Sequence, residues 1–495
     1  MSILLKSVKG TVWLTASRLL SVVFGATAAV FIARWLGPAQ YGYLPLVYSI
    51  LGIAMIFGDA GLGPSTSYYL AQHQDNAELS RRILFKTLRL RLLSLIPLCL
   101  AFVLLMPWIS SFVKAPLLRG TLVIFAGSLF LVQIMSRWTG KTYEGLGQAT
   151  RLGRTQMFIS WLSPLTQLLL VALGFGVLGA IGGQVFGNGI VVAILIVWLL
   201  RNYNADSSCD SPREDLVSYP QIIRYALPLM IIHASFFVYM QSDILILKYF
   251  RNIEDVSYYG LIAQLVVLIQ IPVLSFGNAT SPLLVSAAKE SAQRARNLVK
   301  QSLRYVVIFY APVVLILFLL SDSLIAAVFS EKYLPSARVL RIYLPFLFCF
   351  AISGFVSLAL DYCGKARLRM VFVSISAVAN VALNLWLIPK FGMLGAAWAT
   401  QATYVPLVVI YLYLIKNHFK IPLKGLPVFL AKLACALAVT ASLLIALGNL
   451  LPESRAMLMA TVCLALAGYA LALFLTKVLR LHEIRSIMHT LSGSR

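Results

Sequence analysis

Long apolar stretches alternate with short polar breaks along nearly the whole chain. Each stretch has about 20 residues, the length that an α-helix needs to cross a hydrocarbon core of ~30 Å. The stretches do not show the alternating pattern of membrane β-strands, which come in segments of ~10 residues. The pattern therefore predicts an all-α integral membrane protein with about fourteen transmembrane helices.

The pattern occurs twice. The segment Phe57–Ala60 (FGDA) is echoed by Phe276–Ala279 (FGNA), and Gly176–Ala180 (GVLGA) is echoed by Gly392–Ala396 (GMLGA). Because each repeat holds an even number of predicted helices, both halves enter the membrane from the same side. We therefore expect two six-helix bundles related by a pseudo-twofold axis along the membrane normal, with a central cavity between them.

The predicted organisation has four parts. We assign an amino-terminal six-helix bundle to residues 1–200, a polar cytoplasmic linker to 201–220 and a second six-helix bundle to 221–418. The remaining residues, 419–495, are predicted to form two additional transmembrane helices and a cytoplasmic tail.

The composition is typical of a membrane protein, and this changes what the basic net charge indicates. The chain is 60% hydrophobic and only 12% charged, with a formal net charge of +24. In a soluble protein this charge would suggest nucleic acid as a partner. Here the basic residues cluster in loops that fall on one side, which predicts that both termini are cytoplasmic and that anionic lipids are partners. One such cluster precedes the third predicted span and contains Arg81, Arg82, Lys86, Arg89 and Arg91.

Three arginines are candidate substrate-binding residues, because a charge inside a span costs at least ~2.5 to 3.5 kcal/mol. Arg18 lies about two helical turns inside the first span. Its long side chain either extends to the inner headgroups or faces the cavity, where a guanidinium suits a pair of phosphate oxygens. Arg137 and Arg224 lie near the inner mouths of the fourth and seventh spans, where they either anchor the interface or bind substrate.

Two acidic residues lie in predicted spans. Asp59 is near the carboxyl end of a helix, where the macrodipole disfavours an anion, so we expect a compensating partner. The repeat carries neutral Asn278 in its place. Asp243, whose repeat counterpart is Ala29, either binds a coupling proton or cation or pairs with Lys248 or another basic residue. Six scattered cysteines without metal-binding spacing predict no metal site, and no cofactor motif is present.

Four segments carry a family resemblance: Ser17–Leu20 (SRLL), Ala33–Gly42 (ARWLGPAQYG), Phe57–Leu62 (FGDAGL) and Glu144–Ala149 (EGLGQA). Together they resemble the polysaccharide transporter branch of the multidrug/oligosaccharidyl-lipid/polysaccharide exporter superfamily. An arginine like Arg18 is also seen in the related peptidoglycan-precursor flippases. Those flippases carry a further Arg-Asp pair where this chain has Phe24-Gly25, so the resemblance disfavours a peptidoglycan role.

The resemblance implies a flippase that moves a polyprenyl-pyrophosphate-linked oligosaccharide by alternating access, for O-antigen, capsule or exopolysaccharide assembly. It implies a location in the bacterial cytoplasmic (inner) membrane and suggests a polysaccharide polymerase and chain-length machinery as further partners, with no nucleic acid. Two rivals stay open at this point. A drug/cation antiporter of the same superfamily would share the fold, whereas a membrane glycan polymerase or ligase would be an enzyme with a large outward loop.

Overall fold

The structure, a computed structural model, describes residues 3–74, 76–118, 120–204, 217–362, 364–422, 425–450 and 455–478. Almost every one of them belongs to a helix. In chain order the helices are α1 (Ile3–Tyr41), α2 (Tyr43–Asp59), α3 (Leu62–Gln72), α4 (Ala77–Phe112), α5 (Thr121–Gly145), α6 (Ala149–Leu170), α7 (Gly176–Asn204), α8 (Tyr219–Phe250), α9 (Ile253–Glu290), α10 (Ala292–Leu319), α11 (Ser321–Val328), α12 (Pro335–Tyr362), α13 (Ala366–Phe391), α14 (Met393–Phe419), α15 (Leu426–Leu450) and α16 (Arg455–Leu475).

The number of membrane crossings agrees with the prediction. Across the described ranges, twelve helical stretches are long and apolar enough to span a bilayer, and the pair α2 and α3, bent by 44°, makes a thirteenth. One of the twelve, Ala149–Asn202, contains both α6 and α7. Gly183 of α7 packs on Gln167 and Gly187 packs on Ser163, so the two helices run antiparallel and cross separately. The total is then fourteen.

The first glycine of the repeated motif has a left-handed φ angle in both halves. Gly176 has a φ of +55° between α6 and α7, and Gly392 has a φ of +57° between α13 and α14. Residues with side chains rarely adopt this left-handed conformation, so glycine is required at both turns.

The second glycine of each motif lets two helices touch through their backbones. A Cβ atom on Gly179 would lie 2.8 Å from the carbonyl carbon of Leu170, and one on Gly395 would lie 2.5 Å from the carbonyl oxygen of Leu387. Any side chain at either position would displace the neighbouring backbone. Both helical hairpins are therefore built around the same close contact.

Paired serines also mark the duplication. The hydroxyls of Ser21 and Ser160 share a hydrogen bond of 2.6 Å between α1 and α6. The hydroxyls of Ser235 and Ser374 share one of 2.8 Å between α8 and α13. In each half the first helix is thus tied to the helix that begins the glycine hairpin.

The chain divides into two compact units. One consists of Met1–Ile271 with Met370–Ala399, and the other of Pro272–Arg369 with Thr400–Arg495. In the second unit, α15 and α16 pack on α10, and the Tyr469 hydroxyl donates a 2.8 Å hydrogen bond to the carbonyl of Ile308. The bundle boundaries expected from the repeat stay a prediction, and most of the linker at 201–220 lies outside the described residues.

Candidate functional site

The first unit contains a cavity of about 350 Å³ that we call the polar cavity. It is lined by parts of α1, α2, α6, α7 and α9, and no charged residue is found among the described residues of its lining. Hydroxyl and amide side chains supply its polar surface: Ser21, Tyr41, Tyr48, Ser160, Ser163, Gln167, Gln184, Asn188 and Gln264.

Some polar groups of this cavity make only long hydrogen bonds, or none, to the described protein atoms. The Gln184 Oε1 atom is buried and has no hydrogen-bond partner among the residues that the structure describes. The Gln167 amide donates to the backbone oxygen and the hydroxyl of Ser163 at 3.2 and 3.3 Å, both long for such bonds. The cavity therefore offers hydrogen-bonding capacity without a formal charge.

The second unit contains a larger groove of about 670 Å³ that we call the basic groove. Its walls are mostly apolar and come from α10, α12, α14, α15 and the segment that follows α16. No acidic residue is found among the described residues that line it. Its five cationic residues are Lys300, Arg304, Lys416, Lys432 and Lys477.

All five cations lie towards one end of the bundle. Lys300 follows the start of α10, Lys432 follows the start of α15, and Lys416 and Lys477 are at the ends of α14 and α16. Arg304 is held in place because its Nη2 donates to the backbone oxygen of Val478. An apolar groove with a cationic end matches a molecule that has an apolar chain and an anionic head.

Arg91 and Asp59 form a buried ion pair in the first unit. The Arg91 Nη2 atom is 3.1 Å from the Asp59 Oδ1 atom, and the arginine side chain is wholly buried. The Nη1 atom also donates to the backbone oxygens of Gly58 and Asp59 at the end of α2. The compensating partner expected for Asp59 is thus Arg91, and the contact favours structural pairing over ion coupling for this carboxylate.

The three candidate arginines do not come together in the described part of the chain. Arg18 belongs to α1, but its side chain lies outside the described residues. Arg137 is exposed on α5, with its guanidinium carbon 5.2 Å from the centre of the Phe237 ring on α8. Arg224 is exposed near the start of α8, about 20 Å from Phe237 along the helix axis.

The surroundings of Arg224 are aromatic. Its neighbour Tyr225 stacks on Tyr68 of α3, with 4.3 Å between the ring centres. The Tyr69 hydroxyl donates to the backbone oxygen of Gln221 at 3.2 Å. Arg224 therefore projects from a part of α8 that aromatic contacts fix against α3.

Asp243 is almost wholly buried, with 3% of its surface exposed. Its carboxylate accepts hydrogen bonds from the hydroxyl of Tyr259 on α9 and from the backbone N–H of Ile244. Lys248, the partner considered from the sequence, instead donates to the backbone oxygen of Lys114 at 3.1 Å. Of the alternatives that the sequence left open for Asp243, pairing with Lys248 is not seen, and the carboxylate contacts Tyr259 instead.

Hydrogen bonds join helices of the first sequence half to helices of the second within the first unit. The Ser49 hydroxyl of α2 donates to the Gln241 Oε1 of α8 at 2.8 Å. The Tyr41 hydroxyl donates to the Gln264 Oε1 of α9 at 2.9 Å. Both contacts lie toward the end of these helices that the charge pattern predicts to face outward.

The sequence prediction missed both the polar cavity and the basic groove as sites. Gln167, Gln184 and Gln264 are visible in the sequence as polar residues in apolar spans, but only the fold brings them to one cavity. No group of three or more His, Cys, Asp and Glu side chains that could hold a metal occurs in the part of the chain that the structure describes.

Two family models and several curated proteins match the sequence. The family model described as "Polysaccharide biosynthesis protein" matches residues 7–288, and a model described as "MatE" matches residues 228–386. A Shigella flexneri protein named "Putative O-antigen transporter" is 23% identical over 417 residues, which cover 82% of this chain and 97% of that protein. The lipid III flippase of Escherichia coli (strain K12) is 24% identical over 415 residues, covering 80% and 95%.

Solved structures share the fold. The lipid II flippase MurJ in its inward closed conformation superposes with a TM-score of 0.75 at 14% identity, over 95% of this chain and 100% of that one. An inward-facing multidrug resistance transporter of the MATE family gives a TM-score of 0.64 at 17% identity, over 82% and 98%. At these identities the similarity concerns the fold alone.

Proposed function

Because the chain belongs to the polysaccharide biosynthesis protein family, we propose that it is a flippase for a polyprenyl-pyrophosphate-linked oligosaccharide. It moves this lipid from the cytoplasmic to the outer leaflet by alternating access, for cell-surface polysaccharide assembly. The protein is a multi-pass membrane transporter, and its named relatives are transporters and flippases rather than enzymes. A polymerase or ligase activity is therefore disfavoured.

The basic groove is the observation that carries this proposal. A polyprenyl pyrophosphate combines a long apolar chain with a doubly phosphorylated head, and the groove combines apolar walls with five cations. Each lysine or arginine near an anionic surface contributes ~1 kcal/mol of attraction. A drug/cation antiporter would need anionic groups where its substrate binds, whereas the described lining of the groove has none.

The driving force fits export of an anionic head. With the inside of the membrane negative, moving roughly two negative charges outward gains about 4 to 5 kcal/mol per 100 mV. The membrane potential alone is then enough to set the direction, and ion coupling through Asp243 would add to it.

Within this proposal the bundles at 1–200 and 221–418 rock about the substrate, and both termini are cytoplasmic in a bacterial inner membrane. Arg137 is the arginine best placed to meet the pyrophosphate, because its guanidinium is exposed well inside α5 and faces α8. Arg18 and Arg224 act nearer the cytoplasmic entrance. Anionic lipids, a polymerase and chain-length machinery complete the set of partners.

The test is a strain that lacks this protein. We expect the lipid-linked oligosaccharide to accumulate with its sugars on the cytoplasmic leaflet, and the wild-type protein to restore export. The double variant Lys416→Gln, Lys432→Gln, produced at matched abundance, should restore about thirtyfold less export, because two attractive contacts of ~1 kcal/mol each are lost.

Lys390→Gln is the matched control, because Lys390 packs over Trp386 at the end of α13 and does not line the groove. Normal surface polysaccharide in the strain without the protein would overturn the proposed function. Full export by the double variant would remove the basic groove from it.

A further inference from the structure

The polar cavity differs chemically from the basic groove and needs its own ligand. Its volume of about 350 Å³ is at the lower end of the ~300 to 1,000 Å³ that small-molecule sites occupy. This is far larger than a single ion requires, and it suits a monosaccharide or disaccharide in size.

The lining excludes the charged parts of a lipid-linked substrate. A pyrophosphate would need cationic partners and a drug cation would need a carboxylate, but every lining residue that the structure describes is neutral. The polyprenyl chain is also a poor match, because it would bury the Gln167, Gln184 and Asn188 amides without hydrogen bonds. What remains is a neutral molecule rich in hydroxyl groups.

Amide and hydroxyl side chains are suited to such a molecule, because each can accept and donate. The buried Gln184 Oε1 atom has no partner in the described part of the protein, so a ligand hydroxyl could donate to it. Gln167 holds Ser163 only through long hydrogen bonds and can exchange them for a ligand. Tyr48 adds a half-buried aromatic ring to the same wall.

The second half of the repeat is built differently at the matching position. We count back from the break in α1 at Gly37 and from the end of α8 at Arg251. By this count, Tyr239 takes the place of Gly25, and Asp243 takes the place of Ala29. Tyr239 is only 2% exposed, whereas a Cβ on Gly25 would meet nothing within 4 Å. The first half thus keeps open a space that an aromatic side chain occupies in the second.

We propose that the polar cavity binds a neutral sugar of the oligosaccharide head. This inference rests on the proposed function, since it assigns part of the same substrate to the first unit. The cavity then contributes selectivity for the sugar, while the phosphate and the lipid chain are held by other parts of the protein.

The experiment measures binding of two lipids to the purified full-length protein by native mass spectrometry. One is undecaprenyl pyrophosphate carrying a single N-acetylhexosamine, and the other is bare undecaprenyl pyrophosphate. We expect the wild-type protein to bind the glycosylated lipid about five- to tenfold more tightly, the effect of about one or two hydrogen bonds.

Two variants should abolish this preference by separate routes. Gln184→Leu removes the acceptor, and Gly25→Tyr fills the space as Tyr239 does in the second half. Gln401→Leu, which changes another glutamine with a buried, unpartnered Oε1 outside the cavity, should keep it.

The outcomes separate the two proposals. If the wild-type protein binds neither lipid more tightly than phosphatidylethanolamine, the proposed function fails. If it binds both lipids equally, or if its preference survives in both Gln184→Leu and Gly25→Tyr, the sugar site is wrong while the flippase assignment stands. A preference lost in either cavity variant but kept in Gln401→Leu supports the site.

Discussion

Arg91 of α4 and Asp59 of α2 are joined by an ion pair of 3.1 Å from which water is excluded. The matching positions in the second half of the chain carry no charged residue. Asn278 takes the position of Asp59, and counting from Arg89 and Arg304, Val306 takes that of Arg91. Val306 is 3% exposed, so an apolar side chain is buried where the first half buries a guanidinium.

This exchange predicts how the pair responds to substitution. Arg91→Val should destabilise the protein by ~3 to 5 kcal/mol, because the carboxylate of Asp59 is left buried without its partner. The double variant Asp59→Asn, Arg91→Val copies the second half and should recover most of that loss. Thermal unfolding in detergent measures both, and a double variant no more stable than Arg91→Val would contradict the argument.

The helical hairpins predict that alanine substitutions at different glycines have different effects on stability. A Cβ on Gly183 would lie 2.4 Å from the backbone nitrogen of Gln167, so Gly183→Ala should force α6 and α7 apart and cost ~1 to 3 kcal/mol. Gly25→Ala is the control, since its new methyl group meets nothing and alanine favours a helix by up to ~1 kcal/mol. Heating each variant and quantifying the monodisperse fraction tests this, and equal losses would refute it.

The exposed guanidinium of Arg137 predicts a defect in transport without a defect in folding. Arg137→Ala should lower export by about tenfold or more, and Arg137→Lys should recover only part, because an ammonium lacks the planar donor pair that suits phosphate oxygens. The control is Arg341→Ala, which removes an arginine paired with Asp322 in the second unit. Export is measured at matched abundance, and unchanged export by Arg137→Ala would exclude this arginine from the pathway.

The contact between Ser49 and Gln241 predicts that α2 and α8 separate when the outer end opens. A short thiol cross-linker between Ser49→Cys and Gln241→Cys should stop export, and a reductant should restore it. The same cross-linker placed between Ser235→Cys and Ser374→Cys joins helices of one half and should leave export largely intact. Export that continues with Ser49→Cys and Gln241→Cys fully cross-linked would mean that this contact does not open.

Much of the fold could be predicted because each membrane helix can be recognised from one continuous apolar stretch of sequence. The length of each apolar stretch is a sequence property, and the number of stretches agrees with the number of membrane-spanning helices found across the described ranges. The need of Asp59 for a partner also followed from its place at a helix end.

The binding sites were harder to predict from the sequence because they depend on which helix faces come together. Arg91 belongs to a run of basic residues that indicates the cytoplasmic side, yet it is wholly buried against Asp59. Gln167 and Gln184 are separated by a hairpin turn, and nothing local shows that both line one cavity with Gln264. The cations of the basic groove come from three helices, α10, α14 and α15, and from the segment after α16, so their convergence is a property of packing.

The buried pair also bears on how the protein is made. Arg91 is wholly buried beside Asp59, and leaving one member of such a pair without the other costs ~3 to 5 kcal/mol. Because α4 leaves the ribosome after α2, we expect α4 to pair with Asp59 of α2 during insertion, so that the two segments enter the membrane together. The carboxy-terminal half has a valine in place of that arginine. No buried guanidinium needs a partner at this position, so the corresponding helices can insert one after another.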